Sequence, residues 1–485
     1  MTSLAPILRA EARDALVFTS STLVSRVGAF LLLPLFLSRL SPEDFGILAV
    51  IAVVGAFQLL IGTLSLDLAV TRLYYEWPET ERQRNLGSIW VWNWLAIIGS
   101  GVVFVVVMPF LAPLLFPDVP YEPWLPLGIL SNTLAGLLVL PTTTIRIKRL
   151  PWMFAAYSVG SFVLTGSLGL WFVLVLGLGL SGYISSLILA NAALAAAGIV
   201  LMLRFSRPSI TSPGLRGALR FALPALPSAA ISTVGVTLDR ILLAQFGTLH
   251  TLGIYAVAMK FVELIGALHQ SLKMTFVPFT MQHVAADLER GRRLVGAVIP
   301  FYLIPYLATT LGLVLFIGPV VRIIGQPEYF PVVEWVPWLA GAYLIACLFV
   351  YFGNGMLLAN RTDLLTIPAA AQLAAMTVTA FLLIPPFQLA GVVATRYAGA
   401  IVLFGSSLYL SRRVFRIDHR WDVLLALAGT LIVFAVAGSL ITASNSALEI
   451  IARAAVWAVF LIVAFLIVVG GQRMRHPDPA AAPME

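Results

Sequence analysis

Long uninterrupted apolar runs constrain this chain more than any other feature of its sequence. Residues 423–440 and 456–469, for example, contain no charged side chain. A transmembrane helix needs about 20 apolar residues, whereas a membrane β-barrel is built from short strands of alternating polarity. Only 11% of the 485 residues are charged, against about 25% in a typical soluble domain. The sequence therefore predicts an all-α polytopic membrane protein and excludes a soluble globular chain and a disordered one.

Fourteen apolar segments can be separated, and a Gly-rich hinge at 177–182 divides the fifth from the sixth. The segments lie at about 15–39, 46–70, 88–113, 123–145, 152–176, 180–203, 219–246, 251–281, 295–319, 331–357, 364–384, 388–410, 422–442 and 450–470. This pattern predicts a cytoplasmic N-terminus at 1–14, an N-lobe of six helices at 15–203, a cytoplasmic linker at 204–218, a C-lobe of six helices at 219–410, two more helices at 411–471 and a cytoplasmic tail at 472–485.

The positions of the basic residues support this topology. With both termini in the cytoplasm, 21 of the 30 Lys and Arg residues lie on the cytoplasmic side. Only Arg39, Arg322 and Arg453 lie on the opposite side. Such an asymmetry follows the positive-inside rule. The net charge of +8 therefore indicates membrane orientation, and no nucleic-acid partner is expected.

An internal repeat appears when the sequence is shifted by 207 residues, which places segments 1 and 2 on segments 7 and 8 without a gap. Six helices separate the copies, so both run in the same direction, and the pattern predicts two parallel pseudo-symmetric halves. Chance matching of apolar residues is the alternative, but Ser and Gly coincide as well as aliphatic residues. The coinciding pairs are Ser25/Ser232, Val27/Val234, Gly28/Gly235, Leu31/Leu238, Leu35/Leu242, Gly46/Gly253, Ile47/Ile254, Ala49/Ala256 and Val50/Val257.

The sequence lacks the motifs of several enzyme classes. It contains no Walker-type phosphate loop, no HExxH and no GxSxG stretch, so neither an ATP-driven pump nor these hydrolases are expected. The single cysteine, Cys347, lies in an apolar run, which favours a buried hydrophobe, and no cofactor or metal cluster is expected. A membrane glycan polymerase or glycosyltransferase would need catalytic residues in outer loops that are short here. A carrier that works by alternating access remains.

Two short blocks, one opening each half, carry a resemblance to a known family. The first is Ser25-Arg26-Val27-Gly28 followed by Leu40-Ser41-Pro42-Glu43-Asp44-Phe45-Gly46. The second is Phe221-Ala222-Leu223-Pro224-Ala225-Leu226-Pro227-Ser228 with Leu238-Asp239-Arg240 and Gly253-Ile254-Tyr255. These blocks resemble the polysaccharide and O-antigen repeat-unit flippases of the multidrug/oligosaccharidyl-lipid/polysaccharide exporter superfamily.

The resemblance implies two six-helix lobes with two C-terminal helices added outside them. It also implies a flippase in a bacterial inner membrane that turns a lipid-linked oligosaccharide, usually carried on undecaprenyl pyrophosphate, from the inner to the outer leaflet. Its product would enter surface polysaccharides such as O-antigen or exopolysaccharide. Membrane lipids are the other expected partners, together with a polysaccharide polymerase and assembly proteins.

Ionisable residues at span depth are costly and usually face a cavity or a partner. Cations outnumber acids there, which suits a diphosphate because Lys and Arg bind phosphate by charge-assisted hydrogen bonds. Arg26, about midway along the first helix, is the strongest candidate, and Lys273 is the next. Lys260, Arg396 and Arg240 are the other predicted substrate-binding residues. Structural pairing within the bundle is the alternative for each of them.

Three carboxylates at span depth are candidates for binding a coupling H⁺ or Na⁺, namely Glu263, Asp67 and Asp239. Each has a structural alternative, such as pairing of Glu263 with Lys260 along one helix face. Two other functions stay open within the same superfamily. These are flipping of a peptidoglycan precursor and ion-coupled multidrug antiport, although the basic excess disfavours a cationic drug.

Overall fold

Helices make up all the regular structure of the part of the chain that the computed structural model describes, which is residues 4–324, 326–359, 361–441 and 446–473. Most of the predicted tail at 472–485 lies outside these residues. The helices are α1 (Leu4–Leu37), α2 (Pro42–Thr63), α3 (Leu66–Leu73), α4 (Glu79–Leu115), α5 (Trp124–Gly136), α6 (Val139–Ile147), α7 (Pro151–Leu170), α8 (Gly179–Phe205), α9 (Pro213–Ala222), α10 (Leu226–Phe246), α11 (Leu249–Ala286), α12 (Leu288–Ile324), α13 (Pro331–Cys347), α14 (Phe349–Phe352), α15 (Asn354–Leu358), α16 (Thr366–Val414), α17 (Trp421–Ser439) and α18 (Ser446–Arg473).

Thirteen helical stretches in the described residues are long and apolar enough to cross a membrane. One of them contains α16, whose 49 residues are interrupted by Gln388 with φ of 48°. A Cβ added to Gly391 would lie within 3.0 Å of the Leu383 carbonyl oxygen, and one at Gly399 would meet Met376. The chain therefore folds back on itself at Gln388, so α16 supplies two antiparallel passes. The structure thus confirms the predicted polytopic all-α fold with fourteen passes.

The chain divides into two compact units, Met1–Ala256 and Val257–Glu485. In the N-terminal unit, α2 packs against α4, α5 and α10. Small residues and amides mediate this packing. The Asn132 amide donates to the Ile51 carbonyl and lies against Gly55, while buried Gln58 donates to Thr133 Oγ1 over 2.7 Å. Such contacts are typical of helices that associate in lipid.

The start of α2 meets the start of α11 through two glycines that the repeat aligns. An added Cβ at Gly46 would lie within 3.0 Å of the Leu249 carbonyl oxygen, and one at Gly253 would clash with the Pro42 carbonyl oxygen. Positions 46 and 253, and positions 42 and 249, both differ by the repeat shift of 207. The two copies therefore make the same backbone contact reciprocally, as a pseudo-two-fold relation requires.

The Gly-rich hinge lies where the sequence predicts it. A single π-helical turn at Trp171–Val175 follows α7, and Gly177 and Gly179 then take φ of 67° and 54° before α8 begins. Side chains larger than hydrogen are strained at such φ values. The hinge thus separates the fifth and sixth segments.

The segment predicted as a linker at 204–218 is partly helical, because α9 begins at Pro213. Its Leu215, Ala218, Leu219 and Ala222 recur at helical spacing and pack on the core beneath α3 and α4, whereas Arg216 and Arg220 are exposed. The sequence analysis did not predict this helix in the linker, because its apolar stripe is short and lies between arginines. An amphipathic pattern of this kind suits a helix on a bundle surface.

In the C-terminal unit, α12 packs against α13, α17 and α18. The Trp457 indole on α18 donates to the Ala308 carbonyl over 2.8 Å, and Gly438 on α17 allows close approach of Leu315. The last two passes therefore pack on the face of α12.

Candidate functional site

Arg26 lies on the exposed side of α1. The other side of this helix packs on α7, where Ser25 Oγ lies 3.1 Å from the Ser158 carbonyl oxygen and Gly28 sits against the Phe162 ring. These contacts fix the helix and leave the Arg26 side chain exposed. Among the described residues, Arg26 has no carboxylate partner. The structural alternative of an ion pair therefore has no support at this residue.

Asp239 is almost completely buried, with 2% of its surface exposed. Its carboxylate accepts a hydrogen bond from the hydroxyl of Tyr255, which is fully buried on α11, and another from the Arg240 backbone N–H over 2.8 Å. The Asp239–Tyr255 hydrogen bond thus joins α10 to α11. The Arg240 side chain is half-buried.

Three further predicted residues, Lys260, Glu263 and Lys273, lie on α11 and are exposed. Because α11 buries most of its apolar residues, these charged groups occupy the remaining surface of the helix. Lys273 has no carboxylate partner among the described residues. Lys273 and Arg26 are therefore two exposed cations on apolar spans.

Arg396 and Asp67 are both half-buried and lie on other elements. Arg396 is in the second half of α16. Asp67 is at the start of α3, just after the chain leaves α2 through left-handed Leu64 and Ser65. The Asp67 backbone carbonyl accepts from Thr71. The structure thus places the eight predicted residues on α1, α3, α10, α11 and α16, and their functional roles stay predictions.

A hydrogen-bonded chain that the sequence did not reveal lies in the C-terminal unit. His269 Nδ1 on α11 lies 2.9 Å from the Tyr306 hydroxyl on α12, which lies 3.1 Å from the Tyr351 hydroxyl on α14. Both tyrosines are fully buried. The mid-span histidine was the one sequence signal for it, but 37 and 45 residues separate the successive partners.

Two of the three arginines predicted for the outer side share one carboxylate. Glu449 Oε1 lies 2.5 Å from Arg322 Nη2 and 2.8 Å from Arg453 Nη2. Arg453 also donates to the backbone carbonyls of Leu315 and Ile441. The cluster joins the end of α12 to the start of α18, and it indicates a structural role.

His419 lies between α16 and α17, outside the membrane-spanning segments. Its ring stacks on Phe352 with centroids 4.8 Å apart, and neither ring nitrogen has a hydrogen-bond partner in the described residues. Burial lowers the pKa of His419 to about 4, and the nearby Arg412 guanidinium contributes to the shift. The histidine is therefore neutral at physiological pH.

In the described residues, no three His, Cys, Asp or Glu side chains are arranged to hold a metal ion. The expectation that the protein needs no cofactor stays a prediction.

The helical architecture and its charged spans define a multi-span membrane protein of the flippase and drug-exporter fold. One solved structure with this fold is a lipid II flippase MurJ in an inward closed conformation, with a TM-score of 0.74, 13% identity and coverage of 93% of this chain and 98% of that chain. Another is a variant of the Vibrio cholerae MATE transporter VcmN, with a TM-score of 0.57, 15% identity and coverage of 85% and 98%. A multidrug resistance MATE family transporter of the MOP superfamily, inward-facing, has a TM-score of 0.53, 13% identity and coverage of 81% and 94%.

The family itself follows from the sequence. A family described as "Polysaccharide biosynthesis protein" matches residues 36–333, which is more than half of the chain. The protein belongs to this family, and the resemblance read from the two sequence blocks is confirmed. No curated protein matches the sequence significantly.

Proposed function

We propose that this protein is a flippase that moves a diphosphate-linked oligosaccharide on a polyprenyl carrier from the inner to the outer leaflet of a bacterial inner membrane. Both termini lie in the cytoplasm in this proposal. One observation carries it, namely that Arg26 and Lys273 are exposed cations on apolar spans without a carboxylate partner in the described residues. Membership of the polysaccharide biosynthesis family supports a glycan cargo.

Charge selects the class of cargo. A diphosphate diester carries about two negative charges near neutral pH, and charge-assisted hydrogen bonds to it contribute about 1.5–3 kcal/mol each. One cation, Arg26, belongs to the N-terminal unit and the other, Lys273, to the C-terminal unit. Either group is able to bind a phosphate of the bridge between sugar and lipid. An organic cation would be repelled by both groups, which disfavours multidrug antiport.

The lipid part of the cargo needs a different path. Moving an acyl or prenyl chain into water costs about 0.8 kcal/mol for each CH₂ group, so the polyprenyl tail stays in the bilayer while the head group crosses. Alternating access of two helical halves and coupling to H⁺ or Na⁺ remain predictions from the sequence. O-antigen and exopolysaccharide repeat units are the cargoes we expect, with a polysaccharide polymerase and assembly proteins acting afterwards.

A second candidate cargo is a peptidoglycan precursor. The similar solved structure is described as a lipid II flippase, and such a precursor carries the same diphosphate bridge. The family match favours a surface polysaccharide unit over it.

Reconstituted transfer tests the proposal. Proteoliposomes receive undecaprenyl diphosphate bearing a fluorescent oligosaccharide in the inner leaflet, and a membrane-impermeant quencher measures its arrival outside. We expect transfer well above protein-free liposomes, and a reduction of about 10-fold or more for Arg26→Gln and for Lys273→Leu. Arg39→Gln, at the end of the first helix, is the matched control and should retain transfer. If the wild type and the control both transfer no more lipid than protein-free liposomes, the proposed function is refuted.

A further inference from the structure

The hydrogen-bonded chain of His269, Tyr306 and Tyr351 is a polar path between helices of the C-terminal unit. The two hydroxyls and one imidazole nitrogen that form it are contributed by α11, α12 and α14. The Tyr306 and Tyr351 rings pack nearly perpendicular to each other, with centroids 5.8 Å apart. Buried polar groups of this kind are costly unless they are hydrogen-bonded, so the chain is a built feature of the unit.

The direction of the hydrogen bonds among His269, Tyr306 and Tyr351 depends on the charge of His269. Neutral imidazole has one N–H and one acceptor nitrogen, so Nδ1 can either accept from Tyr306 or donate to it. The imidazolium has no acceptor. Its Nδ1–H must donate to the Tyr306 oxygen, and the Tyr306 O–H must then donate to the Tyr351 oxygen. Protonation thus fixes one direction for the whole chain, and the added proton stays on the imidazole.

The other titratable groups that face these hydrogen bonds are tyrosines, one cysteine and one lysine. Tyr302 and Tyr306 come from α12, Tyr343 and Cys347 from α13, and Tyr351 from α14. The one basic group is Lys273, one helical turn after His269 on α11. No carboxylate in the described residues hydrogen-bonds to His269, Tyr306 or Tyr351. A proton on His269 would therefore face the Lys273 ammonium without a compensating negative charge.

We propose that His269 is a proton-binding site whose occupancy is coupled to an anionic cargo at Lys273. The inference rests on the proposed function, because it needs the diphosphate at Lys273. Like charges one helical turn apart oppose each other, so an empty Lys273 disfavours the His269 proton. A diphosphate on Lys273 removes that repulsion. By linkage, a proton on His269 must strengthen diphosphate binding by the same factor.

Proton uptake on cargo binding tests this coupling. The full chain in lipid nanodiscs, in weakly buffered solution with a pH indicator, receives undecaprenyl diphosphate N-acetylglucosamine, and tryptophan fluorescence reports its binding. We expect binding to take up protons, and the affinity to rise about 5-fold or more between pH 8 and pH 6. Undecaprenol, which lacks the diphosphate, should cause no uptake.

Three variants separate the inference from a structural role. His269→Gln should bind the probe without proton uptake and with pH-independent affinity, and Tyr306→Phe, which keeps the ring but removes the hydrogen-bond partner, should reduce the uptake. His283→Gln is the matched control, because His283 lies on the same helix and its ring contacts Phe279 of that helix, through the backbone carbonyl and the aromatic ring. The control should behave as the wild type.

The outcomes distinguish the two proposals. Probe binding and transfer without proton uptake, or with uptake that survives His269→Gln, would overturn the coupling and leave the flippase function standing. Absence of probe binding by the wild type would overturn both. Uptake that is lost in His269→Gln and retained in His283→Gln would support the site.

Discussion

The two copies of the internal repeat share a backbone contact and differ in the polar groups that they carry into the membrane. Gly46 and Gly253 occupy equivalent positions, and each lies against a carbonyl at the start of the other copy's second helix. Glu43 and His250 are also equivalent positions, and they form a hydrogen bond of 2.8 Å. Contacts between equivalent residues of the two copies thus hold the start of α2 against the start of α11.

Deeper in the membrane the equivalence is lost. The polar residues of the second copy replace apolar residues or glycine in the first: Asp239 for Leu32, Tyr255 for Leu48, Lys260 for Val53, Glu263 for Ala56, His269 for Gly62 and Lys273 for Leu66. The reverse also occurs, since Arg26, Gln58 and Asp67 of the first copy match Thr233, Ile265 and Met274. The residues that both copies share serve packing. The polar residues that only one copy has are the candidates for function.

The largest expected effect breaks the shared contact. Gly253→Ala places a Cβ against the Pro42 carbonyl oxygen and close to the Gly46 nitrogen. Backbone atoms cannot rotate away as a side chain can, so we expect a loss of about 3 kcal/mol or more in stability. Thermal unfolding in detergent measures it. Gly99→Ala, where an added Cβ meets nothing within 4 Å, should leave the midpoint unchanged, and equal midpoints for both variants would contradict the contact.

A second change tests a polar pair found only in the second copy. Asp239→Leu introduces the residue of the first copy and leaves the buried Tyr255 hydroxyl without its acceptor, which should cost about 1–3 kcal/mol. Adding Tyr255→Phe removes the unpaired hydroxyl and should restore part of the loss. Unfolding free energies of the two single variants and the double variant give the coupling. Additive losses would show that the hydrogen bond between α10 and α11 contributes little.

A third prediction concerns His419, which lies outside the repeat and should make the stability of the protein depend on pH. Its pKa in the folded protein is about 4, below its usual 6.5, so between these values the unfolded chain binds more protons. Stability should therefore fall as pH is lowered from 6.5 towards 4, by about 2–3 kcal/mol. His419→Phe, which keeps the stack on Phe352, should flatten this dependence in thermal unfolding. His283→Gln is the control, and equal acid sensitivity in both variants would refute the assignment.

The smallest effect belongs to the Glu43–His250 hydrogen bond between the starts of α2 and α11. The side chains of Glu43 and His250 are 47% and 41% exposed, and exposed pairs contribute about 0–1 kcal/mol. Glu43→Gln should change the unfolding midpoint far less than Gly253→Ala. A loss as large as that of the glycine variant would mean that charge, rather than backbone approach, holds the two copies together.

Much of the fold could be read from the sequence, because apolar length and Lys/Arg placement are local properties. The hinge at Gly177 and Gly179 was predictable for the same reason. The break in α16 was located to within a few residues, since the predicted segments end at 384 and begin at 388, and Gln388 is the residue that leaves the helical conformation. The helix α9 was missed because its apolar stripe spans only ten residues.

The candidate site was less accessible to sequence reasoning. A single ionisable residue inside a span can be recognised, as Arg26 and Lys273 were, because its cost in lipid makes it conspicuous. Tyrosine is tolerated in apolar spans and gives no such signal. The contact of His269 with Tyr306 also depends on how α11 and α12 are rotated about their axes, which the sequence of either helix leaves open.

The reciprocal placement of Gly46 and Gly253 has a consequence for how such a protein can diverge after duplication. Each glycine faces main chain, so no compensating side-chain replacement elsewhere can make room for a bulkier residue. Both copies are therefore locked at this point, while the helix surfaces further along remain free to exchange one polar residue for another. Polar residues on those surfaces can change without disturbing the backbone contact between the starts of α2 and α11.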